Sequence, residues 1–115
     1  MGEGWETRRR RDGGHDWAVV RLGHRGRIER IEVDTRHFKG NAPGACSLEA
    51  RVGDLDDPQD PHIEWRSLLP HTPLQPDTVH LFDRGLHSLD HVTHVRFNIF
   101  PDGGVARLRL VGRPT

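Results

Sequence analysis

Apolar residues recur along this chain at every second position, in short runs and never in a long one. Ala18, Val20 and Leu22 make one such face, and Leu48, Ala50 and Val52 make another. Val95, Phe97 and Ile99 alternate with His94, Arg96 and Asn98, while Ala106, Leu108 and Leu110 alternate with Val105, Arg107 and Arg109. Successive side chains of a strand point to opposite faces, so a period of two predicts strands with one apolar and one polar side. Residues 27–34 also read as a strand, with Ile31 and Val33 on one face and Ile28 out of phase across a bulge. Half-apolar strands of this kind belong to antiparallel sheets that pack one face on a core. No stretch reads as a long amphipathic helix.

The separators are rich in turn residues. Residues 22–26, Leu-Gly-His-Arg-Gly, suit a hairpin between the first two strands. Phe100-Pro101-Asp102-Gly103-Gly104 is a strong turn signal with good hairpin chemistry, since proline fixes φ and glycine accepts positive φ. Residues 53–61 carry four aspartates and two prolines and read as a solvated loop. Two more prolines in residues 71–77 argue against regular structure there. Short strands separated by turns predict an all-β fold, an antiparallel β-sandwich or jelly roll.

Composition narrows this further. The 115 residues suit one domain, but only 33% are hydrophobic, with three Trp, four Phe and no Tyr, which is thin for a core. Trp5 and an arginine run precede the first strand, so the expected domain lacks N-terminal strands or leans on a partner surface. Seventeen basic residues balance seventeen acidic ones, which excludes a nucleic-acid or anionic-membrane binder driven by bulk charge. One cysteine, Cys46, excludes an internal disulfide and a multi-cysteine metal cage; at the start of an apolar strand it is expected to be packed rather than nucleophilic. No run approaches the ~20 apolar residues of a membrane span, and no apolar run follows the charged N-terminus as a secretory signal would require. The expected setting is cytoplasmic.

Four segments carry candidate chemistry. Arg8-Arg9-Arg10-Arg11 is an anion site or a solvated charge run beside Glu3, Glu6 and Asp12. Residues 33–41 release Asp34, His37, Lys39 and Asn41 around Phe38 at the end of a strand. There Asp34 and His37 suit acid–base work and Lys39 and Asn41 suit a polar ligand. The same residues equally make a loop in which Asp34 caps backbone and Phe38 anchors the chain. Arg96, Arg107 and Arg109 line a groove or face water, and Asp102 sits in the turn. His87, His91 and His94 would share one face of a helix, but His94 belongs to an alternating strand run. Phosphate-binding glycine loops, nucleophile elbows and H-E-x-x-H are missing from the sequence.

The same segments carry a resemblance. Gly4-Trp5-Glu6-Thr7-Arg8-Arg9, His15-Asp16-Trp17, Asp34-Thr35 with His37-Phe38-Lys39-Gly40-Asn41, Trp65 with Leu68-Leu69-Pro70, Thr93-His94-Val95-Arg96 and residues 98–108 resemble the allantoicase family, in the family's order and with similar spacing. The family's proteins carry two tandem copies of this repeat, each a jelly-roll β-sandwich of the galactose-binding-like kind, and the wording here is closer to the second copy. The resemblance therefore implies a single repeat over residues 1–115, partial at its N-terminus, that self-associates or pairs with a second repeat. It implies a ureide hydrolase of purine breakdown, converting allantoate and water to ureidoglycolate and urea. Such chemistry needs a cation for the carboxylate, an acid for the departing ureido nitrogen and hydrogen bonds to the urea carbonyls. On the matched motifs Arg8, Arg9, Arg96 or Arg107 would bind the carboxylate, and Glu6, Asp34 and His37 are the acid–base candidates. Lys39 and Asn41 would hold ureido oxygens, with Asp102 as a partner. No cofactor is identifiable, and a metal requirement is not legible. The implied partner is the small molecule, without nucleic acid or membrane. A non-catalytic module for a ureide or sugar, and a structural half that needs a partner, are the alternatives.

Overall fold

A computed structural model of the chain describes residues 5–6, 16–52 and 65–115, and none of these is helical. Eight strands follow in order: β1 (Trp5–Glu6), β2 (Asp16–Asp34), β3 (Ala45–Val52), β4 (Trp65–Pro73), β5 (Val79–Phe82), β6 (Val92–Phe100), β7 (Gly104–Val105) and β8 (Arg107–Pro114). β1 and β7 form a small antiparallel pair. The others form one antiparallel sheet in the order β4-β3-β6-β2-β5, with β8 also on β2.

The 19-residue β2 is the spine of this sheet. Its first part, through Arg21, pairs with β6. Its second part, from Gly26 to Asp34, pairs with β8, and Ile31 to Asp34 also take β5 on the opposite edge. The sheet curls at the change of partner, so the apolar faces of both halves enclose one core. Residues 22–26 therefore carry a bend and a register break within a single strand, where the sequence pattern suggested a hairpin. The expected bulge is present, between Ile28 and Arg30 against β8, and it brings Ile28 back to the core face with Ile31 and Val33. The turn at residues 100–104 forms, but it closes no hairpin, because β7 goes to β1 and β8 to β2.

Two further expectations are corrected. β4 continues as a strand through Pro73, with Ala45 opposite Pro73 and Cys46 opposite Thr72. It lies at the end of the sheet order, the place where a strand tolerates proline. The polar side of β6 is no solvent face either: His94 and Asn98 are buried along with Val95, Phe97 and Ile99. β6 is flanked by β2 and β3, and its buried polar atoms are partnered as the interior demands. Thr93 Oγ1 donates to the Arg51 carbonyl at 3.1 Å, and His94 Nδ1 lies 2.9 Å from Thr93 Oγ1. The expected loop at 53–61 falls outside the described residues.

Phe97, Ile31, Leu48, Leu68 and Ile99 are the largest described apolar side chains with no exposure, each stabilising the fold by about 1.5–3 kcal/mol. No described helix is long and apolar enough to cross a membrane.

Candidate functional site

The end of β2 builds a polar corner. Asp34 is buried, and its carboxylate accepts from the backbone N–H of Arg36 at 2.9 Å and from Arg36 Nη2 at 2.8 Å and Nε at 3.1 Å. These bonds hold the Asp34 carboxyl below the usual carboxylate range; burial opposes them, and the charges of Arg36 and Arg107 add to them. Asp34 is therefore an anion at neutral pH.

Thr35, fully buried, ties this corner to the segment before β5. Its hydroxyl donates to the Gln75 carbonyl at 2.7 Å and accepts from Thr78 N–H at 3.1 Å. His80 braces the same segment: Nδ1 lies 3.0 Å from the Val33 carbonyl while Nε2 accepts from Gln75 N–H at 2.8 Å. The second bond makes Nε2 the acceptor and leaves the proton on Nδ1. His37 follows in a left-handed conformation, φ 74°, its N–H donating to Asp77 Oδ1 at 2.8 Å. Its ring is thereby presented outward, and His37, Lys39 and Asn41 are all exposed.

The loop is locked against the turn after β6. Gly104 N–H donates to the Asn41 carbonyl at 2.8 Å, and Ala106 N–H to that of Asp34 at 2.7 Å. A Cβ on Gly103, whose φ is +131°, would come within 2.9 Å of Asn41 O, Pro43 N and Ala42 C, and the Phe38 ring fills the space beside Gly104. Asp102 is buried in this turn, Arg107 stands opposite Asp34 in the β2–β8 ladder, and Glu6 is in register with Gly104. The fold thus gathers Asp34, His37, Lys39, Asn41, Asp102, Arg107 and the Glu6 backbone at one end. Arg8 and Arg9 lie outside the described residues.

Arg96 stands apart, on the outer face of β6, four residues or about 13 Å of strand from Phe100. It shares a groove of about 370 Å³ with Trp17, Ser47, Glu49, Asn98 and Phe100. Glu49 and Ser47 lie opposite Arg96 and Asn98 on β3, and Trp17 lies opposite Asn98 on β2. Glu49 Oε1 accepts from Arg96 Nη2 at 2.7 Å, Arg96 Nε at 3.1 Å and Asn98 Nδ2 at 3.0 Å. The Arg96 guanidinium also sits 5.0 Å from the centre of the Trp65 ring. Ser47 and Glu49 are residues that sequence reasoning missed. Their only signal was an alternation of polar positions, and the pairing partners, 47 residues away for Glu49 and 51 for Ser47, decide what they touch.

Among the described residues no three His, Cys, Asp or Glu side chains are placed to hold a metal ion. His87 pairs with the Ser67 carbonyl and His94 with Thr93, so the histidine spacing makes no common face. Cys46 is buried, and burial pushes its thiol up to about 12, which leaves it a packing residue.

The profile of the Allantoicase repeat matches residues 1–115. A probable allantoicase of Pseudomonas paraeruginosa is 55% identical over 119 residues, covering 99% of this chain and 35% of the relative. One from Rhizobium meliloti is 53% identical over 120 residues, covering 98% of this chain and 35% of its own length. The crystal structure of allantoicase from Saccharomyces cerevisiae superposes with a TM-score of 0.79 at 38% identity, over 96% of this chain and 31% of that one. The chain thus spans about a third of the length of these relatives. It belongs to the allantoicase family.

Proposed function

We propose that this repeat carries the chemistry of an allantoicase, the hydrolysis of allantoate to ureidoglycolate and urea in purine catabolism. The observation that supports this best is the corner at the end of β2, where family-motif residues that are far apart in sequence meet in one constellation. In this reading the exposed cation Arg107, with Arg8 and Arg9, receives the substrate carboxylate. Asn41 and Lys39 hold ureido oxygens. Cleavage of the carbon–nitrogen bond needs a proton on the departing ureido nitrogen and a base for water. Asp34, held as a carboxylate by Arg36, is suited to orienting charge or accepting a proton rather than donating one. His37, turned outward by its left-handed backbone, and Glu6 are then the proton carriers, and buried Asp102 supports the turn beneath them.

The relatives are about three times longer than the residues they share with this chain, which favours an active form in which this repeat associates with a second one, its own copy or another. The cytoplasm is the setting that goes with this reading. The direct test is turnover of allantoate by the His37→Ala and Glu6→Gln variants. Loss of a positioned acid or base should lower the rate by about 10²-fold or more in at least one of them. Near-normal turnover in both overturns the assignment.

A further inference from the structure

His37 is placed at the polar corner by its backbone alone. Among the described residues its ring makes no hydrogen bond, ion pair or ring contact, and the bond that holds the residue runs from its N–H to Asp77 Oδ1 at 2.8 Å. The segment that supplies Asp77 is fixed independently of this bond. Thr35 N–H donates to the Thr78 carbonyl at 2.8 Å, and the Thr35 hydroxyl bonds Gln75 and Thr78. His80 adds its own bridge between Gln75 N–H and the Val33 carbonyl. These contacts join the end of β2 to the turn before β5 without the Asp77 side chain. The carboxylate reaches further along the loop, to the residue whose ring is exposed.

The backbone at this contact is unusual on both sides. His37 has φ 74° and Asp77 φ 51°, two of the three non-glycine residues with positive φ among the described residues. Glycine takes either conformation freely, so neither side chain is what the backbone demands. An ionised acceptor bonds an N–H more strongly than a neutral one, and here it offsets the strain of holding His37 left-handed. Asp77 N–H returns to the Phe38 carbonyl at 3.2 Å, so the two loops are bonded in both directions around His37.

We propose that Asp77 is a positioning residue for the hydrolysis: its carboxylate holds the His37 backbone left-handed and so keeps the ring in place as a proton carrier. Asp77 acts through His37, and its role in turnover rests on the reading of His37 given above.

Two variants of the 115-residue chain separate position from folding. Asp77→Gly removes the acceptor and suits a positive φ, while Asp77→Asn keeps an acceptor and also tolerates that conformation. In Asp77→Gly the His37 amide should exchange its hydrogen about tenfold faster by NMR, while the Thr35 amide keeps its protection. The kcat for urea release from allantoate should fall by about tenfold or more at unchanged KM. Asp77→Asn should restore most of both. Unchanged His37 exchange or unchanged kcat in Asp77→Gly overturns the proposal, as does a loss that Asp77→Asn fails to restore. Equal acceleration at Thr35 also overturns it, because the carboxylate would then merely hold the turn together. A wild-type chain that releases no urea sinks the catalytic reading by itself, and the His37 exchange still decides whether Asp77 holds the ring's backbone.

Discussion

Asp34 shows how one side chain couples stability to pH in this fold. Its folded-state value lies below the ordinary carboxylate value of about 3.9. The stability it contributes is therefore present above that value and is lost as pH falls through the folded value. Asp34→Asn should lower unfolding stability at pH 7 by about 1 kcal/mol, since Arg36 is half exposed and solvent screens the pair. The gap between variant and wild type should close in acid; parallel stability–pH curves would contradict this. Cys46 gives a second expectation. With its thiol pushed up to about 12, the folded chain should react with a thiol reagent far more slowly than the chain unfolded in urea. Equal rates would show that the residue is not packed. Cys46 was legible because the apolar face at 46, 48 and 50 surrounds it. Asp34 and Arg36 are two residues apart, and such a local pair is also within reach of sequence reading. Glu49 with Arg96 was not, because nothing local says which strand lies beside β3.

At the scale of elements, alternation located most of β2, β3, β6 and β8 but not their partners. β2 was read as two strands because glycines interrupt its pattern, and the unbroken strand appears only when its two halves take different neighbours. β4 escaped for another reason. Register shifts against β3 turn Leu68 and Leu69 both inward, which erases the period of two. Phe97 is the largest side chain without exposure, and Phe97→Ala should cost about 3–5 kcal/mol in a denaturant titration. A loss below about 1 kcal/mol would deny it a central place in the core. Gly103→Ala places a Cβ against the backbone of residues 41–43 at a φ that other residues avoid. It should destabilise by about 1–3 kcal/mol and displace the backbone NMR signals of His37, Lys39 and Asn41. Unchanged signals would mean that the turn does not hold the loop.

For the molecule as a whole, one curled sheet places a polar corner at the end of β2 and a separate groove on the face of β6. The thin apolar composition suffices because the curl lets both halves share one core. Trp17, Val19 and Leu81 are each more than half exposed, the kind of surface a longer, two-repeat protein has occasion to cover. The measurement that bears most directly on the account is urea release from allantoate by the purified 115-residue chain, with its mass in solution recorded on the same sample. The account predicts urea in proportion to protein, from a species of dimer mass or larger. A folded sample that releases no urea at any mass would contradict it.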